Sequence, residues 1–329
     1  MRWLVTGGAG FIGTNLVDFL LSAGDEVVVV DDLSREGVIG NKDFLEQRWS
    51  QPVVEVDVVD GNRLSEVFRK HKPFDAVAHL AGQVSLMASI QDPVRDFQVN
   101  ALGTLNVLEA VREYAPEALV IGMSSNKVYG DLGHVQITEE ARRYVAPAFP
   151  FGFDETQPLD FHGPYGCSKG AADQYLLDYH RIYDLNTVSL RQSSVYGPFQ
   201  HPRSDQGWVG FLLAEAQAGR HIQLYGVGKQ VRDLLYASDL AQLFRVMASK
   251  PEKVTGQAFN VGGGVANSLS ILELFDWLEE NAGLSVSYSP GDLRPSDQPI
   301  FVADISRISK ATGWSPKISV DGGLKALIS

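Results

Sequence analysis

One cysteine, Cys167, is all that 329 residues carry. A single thiol closes no intrachain disulfide and rules out a Cys-based zinc cluster, so no metal is expected and a reducing, cytoplasmic setting is. Basic residues are also in deficit. Twenty-eight Lys and Arg face 40 Asp and Glu, a formal net charge of −12. Nucleic-acid binding needs a basic footprint, so that class is excluded. An anionic ligand would have to be held by local cations and backbone N–H groups against the global field. Long apolar runs are missing as well. None approaches the length of a membrane span, which argues against a membrane partner. Met1 is followed at once by a strand-like run, leaving no room for a signal peptide. Repeats and low-complexity segments are absent, and the length suits one large domain or two.

What is present begins at the N-terminus. Arg2–Thr6 is a short apolar run ending in Gly7-Gly8-Ala9-Gly10-Phe11-Ile12-Gly13, after which Ile12, Leu16, Leu20 and Ala23 recur at helical spacing. The β-branched run Glu26–Asp31 follows, suited to a strand buried on both faces. In a strand–turn–helix of this kind Gly7 permits the turn, Gly10 lets backbone approach a pyrophosphate, and Gly13 lets helix pack on strand. Phe11 and Ile12 lie within the same loop. Asp31 stands 21 positions after Gly10, where an acid binds adenosine ribose hydroxyls and repels a 2′-phosphate, so NAD is expected over NADP. Arg35 nearby weakens that preference slightly.

Strand and helix go on alternating. Val53–Asp57, Phe74–Leu80 and Ala118–Met123 read as strands, with helices around 63–70 and 103–114 between them. This pattern implies an α/β fold with a doubly wound parallel sheet of Rossmann type, its ligands at the carboxyl ends of the strands. Asp57, Val58, Leu80, Ala81 and Gln83 fall at such ends and are expected to line adenine and ribose. His79 reads as a satisfied strand histidine. Asn100 either holds backbone near the site or caps a helix. Residues 131–163 form a long irregular connection, a length usually functional and often a lid.

Tyr165 and Lys169 are four residues apart in a helix expected to start just after Pro164, which stacks phenol and ammonium on one face. A free phenol ionises near pKa ~10, and an adjacent cation lowers that value, making the pair a plausible proton-transfer unit. Ser125, also at a strand end, can share a proton with Tyr165. Beyond Gly197-Pro198 the pattern loosens into a smaller lobe. Its Arg232 and Arg294, on separate segments, can clamp a diphosphate. Trp208, next to Val209, reads equally as core or as a stacking platform.

These residues together resemble the extended short-chain dehydrogenase/reductase family, in its sugar-nucleotide branch of NAD-dependent epimerases and dehydratases. The branch pairs Gly-x-x-Gly-x-x-Gly with a Ser/Thr and Tyr-x-x-x-Lys, here Gly7, Gly10, Gly13, Ser125, Tyr165 and Lys169. Ser125–Asp131, Leu159–His162, Pro164–Asp178, Asp205–Gly210, Lys229–Asp233 and Ser296–Gln298 are similar to enzymes that epimerise C2 of a CDP-linked hexose. The resemblance implies Ser125, Tyr165 and Lys169 as catalytic residues, with Tyr165 and Lys169 also on a tightly bound, recycled NAD. It places the substrate, a nucleotide-diphosphate hexose, against Ser125, Asn126, Lys127, Trp208, Val209, Arg232, Arg294 and Asp297. Ser194 stands where the branch often has a phosphate-binding Asn.

Dehydratases of the branch carry Asp-Glu where this chain has Asn126-Lys127, which disfavours elimination. C4 epimerisation by the same triad remains a second reading, and a non-catalytic NAD-binding scaffold a third. The expected division is 1–191 for NAD, with 232–262 returning to it, and 192–231 plus 263–329 for the nucleotide sugar. Relatives commonly dimerise through helices near 103–114 and 166–183, so a homodimer or homotetramer is expected.

Overall fold

Apolar runs that alternate in which face they present make the central layer. In the computed structural model, Leu4, Val30, Val77 and Val120 enter one core while Val5, Val29, Ala78 and Ile121 enter the other, as the two-residue period of a strand requires. The structure describes residues 1–204, 206–294 and 297–328. Asp205 and Ser296, which belong to segments compared above, lie outside the described residues.

The chain runs β1 (Arg2–Thr6), α1 (Phe11–Ser22), β2 (Glu26–Asp31), α2 (Val38–Trp49), β3 (Val53–Glu55), α3 (Gly61–His71) and β4 (Ala76–His79). Then come α4 (Leu86–Gln91), α5 (Pro93–Phe97), α6 (Gly103–Tyr114), β5 (Leu119–Ser125), β6 (Thr138–Glu139), β7 (Tyr144–Val145), α7 (Gly163–Tyr183) and β8 (Thr187–Gln192). The remainder is β9 (Ser194–Tyr196), α8 (Trp208–Gln217), β10 (Ile222–Gln223), β11 (Val231–Tyr236), α9 (Ala237–Ala248) and β12 (Gln257–Val261). It closes with β13 (Ser268–Ser270), α10 (Ile271–Ala282), β14 (Tyr288–Ser289) and β15 (Ile300–Phe301) ahead of two final helices.

The main sheet has seven strands in the order β12-β8-β5-β4-β1-β2-β3, all parallel. This is the doubly wound arrangement expected. Strand order reverses at β1, between β4 and β2, and a crevice opens beyond their carboxyl ends. A second sheet is built from β13, β11 and β15, with β9 paired to β11. The strand at 231–236 therefore belongs to the second sheet. Return to the main layer begins after Tyr236, through α9 against α1 and β12 beside β8. The reason is local: β9 follows β8 almost directly and takes β11 as its parallel partner.

The connection over residues 131–163 is a strap rather than a lid. Its hairpin β6–β7 is tied to the second lobe by Arg142–Asp276, Arg143–Glu273 and Lys229–Glu139 ion pairs. Phe153 N–H donates to the Val302 carbonyl at 2.7 Å. None of these residues lines the large cavity. Among the described residues no helix is long and apolar enough to cross a membrane.

Candidate active site

The cleft starts at the turn after β1. Gly7 has φ +67°, and a Cβ there would sit 2.6 Å from the Ala81 nitrogen at the end of β4. A Cβ on Gly13 would meet the Gly7 carbonyl oxygen at 2.1 Å. Neither position admits a side chain, because the turn and α1 are pressed against two strands. Gly10 is the N-cap of α1, with no side-chain cap and no acid in the first turn. That helix end presents free N–H groups and a positive dipole end.

Asp31 closes β2 and is buried. Its Oδ2 accepts from Ala9 N–H at 3.0 Å and its Oδ1 from Leu33 N–H at 2.9 Å. Burial pushes its carboxyl above the usual range, and the hydrogen bonds from Leu33 and Ala9 oppose that. A carboxylate offers about four lone-pair sites, so acceptor capacity for ribose hydroxyls remains. The closed glycine turn, the uncapped helix end and the buried acid together fit a dinucleotide.

One cavity of about 900 Å³ runs from this turn to the second lobe. Phe11, Ile12, Asp57, Val58, Leu80, Ala81 and Gln83 line its near end. Ser125, Asn126, Lys127 and Tyr165 lie midway; Ser194, Trp208, Val209, Arg232, Arg294 and Asp297 line the far end. Arg95, which sequence reading passed over, bridges Asp57 at 2.8 Å and Asp32 at 3.6 Å at the near end. Of the expected catalytic and binding residues, Lys169 alone is not on the wall. It stands behind Gly82, whose added Cβ would lie 3.1 Å from Nζ.

Midway, β5 delivers Ser125 and the first turns of α7 deliver Tyr165 and Lys169. α7 begins at Gly163, earlier than expected, because Pro164 fits the first helical turn. All three side chains are buried. The Ser125 hydroxyl lies near enough to the Tyr165 phenol to favour its ionised form. Ser125 Oγ accepts from Lys127 N–H at 3.2 Å and donates to Asn126 Oδ1 at 3.3 Å.

The expected lowering of the phenol by Lys169 is not what the structure shows. Burial pushes Tyr165 up to about 12; the neighbouring Ser125 hydroxyl opposes this and the Asp96 charge adds to it. Burial also pulls Lys169 down to about 8 against Asp96. Its Nζ donates to the Met123 carbonyl at 3.0 Å rather than to the phenol. Desolvation of the charged forms outweighs the pairing that spacing alone suggested.

His79 sits between the Thr6 and Thr104 hydroxyls at 2.8 and 3.0 Å and is pushed down to about 3 by burial, so it stays neutral in the sheet, as read. Asn100 is not a helix cap. It lies in a π-helical turn, Gln98–Leu102, between α5 and α6. There its Oδ1 accepts from Gln83 N–H at 2.9 Å while Nδ2 reaches the Gln83 carbonyl and Ser168 Oγ, each at 3.0 Å. Turns of this type inside helices recur at functional sites because they re-aim a side chain.

At the far end Asp297 Oδ1 accepts from Arg232 at 2.8 Å and from Lys127 Nζ at 3.1 Å. Burial would raise this carboxyl, but Arg232 and Lys127 outweigh it and hold it at about 2. Arg294 stacks over the Tyr225 ring at 4.0 Å. Trp208 settles as a wall residue: it lines the cavity and donates to Ser194 Oγ at 3.3 Å. Gln298, missed as a functional position although it lay in a compared segment, is wholly buried. Its Nε2 donates to the Gly130 and Asn126 carbonyls, and its Oε1 accepts from Asn126 Nδ2 at 2.6 Å. The second lobe thus grips the residues next to Ser125 directly.

A pH-dependent outcome follows for Asp297. Its folded value lies below its unfolded one, so the stability it contributes is present above pH ~4 and is lost as pH falls towards 2. Asp297→Asn should cost about 2 kcal/mol in urea unfolding at pH 7. That difference should narrow steadily between pH 4 and the lowest pH at which the native state persists. A pH-independent difference would contradict the ion-pair account.

Chemically, the cleft joins a dinucleotide cradle, a phenol–hydroxyl pair for moving a proton, and a cationic far end for an anionic group. A match to the GDP-mannose 4,6 dehydratase family model covers residues 4–327. The chain is 45% identical to CDP-paratose 2-epimerase of Salmonella typhi, over 99% of this chain and 98% of that one. It is 34% identical to UDP-glucose 4-epimerase of Mycolicibacterium smegmatis, over 98% and 96%. Among solved structures, the UDP-glucose 4-epimerase of Thermus thermophilus in complex with NAD superposes with TM-score 0.82 at 32% identity, over 99% and 97%.

Proposed function

The chain belongs to the GDP-mannose 4,6-dehydratase family of NAD-dependent nucleotide-sugar dehydratases and epimerases, and from that premise we propose that it inverts C2 of a nucleotide-linked hexose, as in CDP-paratose to CDP-tyvelose. The observation that carries this reading is the pair of residues after Ser125. Elimination needs an acid and a base there, and the chain offers Asn126, locked to Gln298, and Lys127, paired with Asp297. What is left is oxidation and reduction at one carbon. The 45% identity to CDP-paratose 2-epimerase supports C2 as that carbon.

In this mechanism Tyr165, as phenolate, takes the proton of the sugar 2-hydroxyl while Ser125 holds the same oxygen. The Gly7–Gly13 turn and Asp31 would hold NAD, which would supply a hydride acceptor and a positive ring charge of the kind that favours ionisation of a phenol. Lys169 supports that end of the site from behind Gly82. Arg232, Arg294 and Asp297 keep the nucleotide in place while the flat 2-keto sugar turns its other face. Tyr165 then returns the proton to the oxygen. On the same reading residues 1–191 with 237–262 serve the cofactor, and 192–236 with 263–329 serve the substrate.

Product analysis by NMR with CDP-, GDP- and UDP-linked hexoses tests the proposal, using substrate deuterated at C2. Inversion at C2 with the label retained is expected. Loss of the label to water would mean C–H deprotonation instead. Inversion at C4 with C2 untouched would establish the second reading, which the 34% identity to a UDP-glucose 4-epimerase supports. We also place a homo-oligomer contact on the outer faces of α6 and α7, where Tyr175, Ile182 and Tyr183 are exposed. A monomeric mass by light scattering would reject it.

A further inference from the structure

Behind Lys169 lies a carboxylate that none of the steps above uses. Asp96, in α5, has no exposed surface. Its Oδ1 accepts from Gln83 Nε2 at 3.0 Å and from Asn100 Nδ2 at 3.1 Å. Its Oδ2 is buried with no hydrogen-bond partner among the described residues. A buried carboxylate in that condition is costly, and a fold keeps one where its charge has a use or neutralises it.

Its surroundings indicate the use. Asn100 Nδ2 joins Asp96 to Ser168, the residue before Lys169, and Ser168 Oγ donates in turn to the Tyr165 carbonyl at 3.2 Å. Gln83 and Gly82 carry the turn that separates Lys169 from the cavity. Asp96 is the carboxylate whose field reaches both Lys169 and Tyr165. The other titratable groups facing Lys169 are Tyr165 on its own helix and His79 on β4, neither of which supplies a negative charge in its neutral form. The ammonium itself donates to a carbonyl, Met123 O, and not to a carboxylate.

We propose that Asp96 is a positioning residue for the reaction, a buried counter-charge that keeps Lys169 an ammonium in a desolvated pocket and fixes the Gln83–Asn100 wall against it. Desolvation pulls Lys169 down and Asp96 opposes it. Burial raises Asp96 itself, and Ser168 and Lys169 oppose that, the reciprocal sign that linkage demands. The inference rests on the epimerase reading only for its effect on turnover. The charge relation itself can be read without substrate.

Asp96→Asn is the direct test, since the amide oxygen still accepts from Gln83 and Asn100 and only the charge is lost. The pKa of Lys169, followed by NMR of side-chain-labelled lysine, should fall by roughly one unit below its wild-type value. Turnover should drop about twofold at pH 7 and approach tenfold near pH ~9, with KM for the nucleotide sugar and the NAD content unchanged. In a Lys169→Arg background the same Asp96→Asn change should cost little, because a guanidinium stays charged. An unmoved Lys169 titration in folded Asp96→Asn, or an equal cost in the arginine background, overturns the proposal. Should Asp96→Asn not fold, Lys169→Met carries the reciprocal test: the Asp96 carboxyl should titrate at higher pH than in wild type. An unchanged Asp96 titration there would also overturn it.

Discussion

Tyr165→Phe is expected to lower kcat on the order of 10³-fold, with KM for the nucleotide sugar and the amount of copurifying NAD close to wild type. The phenol oxygen lies in the middle of the cleft, where on the proposed reading it exchanges a proton with a sugar hydroxyl. Ser125 is its neighbour, and the two residues after Ser125, Asn126 and Lys127, carry no carboxylate. The ring is buried, so phenylalanine keeps the packing and removes only the hydroxyl. The Ser125 hydroxyl keeps Asn126 Oδ1 and the Lys127 N–H as partners. Unfolding should therefore shift modestly while turnover collapses. The cleanest measurement is single turnover with preloaded enzyme, which separates chemistry from release. A loss below tenfold would remove Tyr165 from proton transfer and leave the proposed mechanism without a base.

The second large effect concerns stability. Arg191→Met should destabilise the protein by about 3–5 kcal/mol in urea unfolding, because it leaves a buried carboxylate without its cation. Arg191, on β8, makes a bidentate pair with Asp173 on α7, Nε to Oδ1 at 3.0 Å and Nη2 to Oδ2 at 2.7 Å. Its Nη1 donates to the Tyr129 hydroxyl at 3.1 Å, and that hydroxyl donates to Asn260 Oδ1 at 2.7 Å. Asn260 reaches the Phe153 carbonyl at 2.8 Å. One network thus ties α7, two sheet strands, the turn after Ser125 and the strap together. Asp173 has no exposed surface, so water cannot compensate for a missing guanidinium. Removing both charges, in Asp173→Leu with Arg191→Met, should recover much of the loss. A double variant as unstable as the sum of the two single ones would show that the two charges are not coupled and would refute this account.

These two predictions differ in how far the sequence reaches. Tyr165 was legible because helical spacing and the upstream glycines are local patterns, and a resemblance then supplied Ser125. The Arg191 network was not legible. Its members lie 18 to 131 positions apart, and in sequence each looks like an ordinary strand or helix polar residue. Gln298 and Asp96 were missed for the same reason: burial, which makes them matter, has no local signature in a mixed-polarity segment. The strap over residues 131–163 shows the converse error. Its length suggested a lid, but where it is anchored depends on ion pairs to α10 and to the segment before β11.

What the chain's own order of residues determined is the layer architecture, the glycine turn, the acid at the end of β2, and the four-residue spacing of Tyr165 and Lys169 on one helix. Each follows from periodicity or from steric and electrostatic demands within a few residues. The tertiary structure decided the state of those groups. Tyr165 and Lys169 are neighbours by spacing, yet burial drives the phenol up and the ammonium down, and a carboxylate from α5 enters the balance. Desolvation depends on everything packed around a group, and a spacing rule carries no information about that.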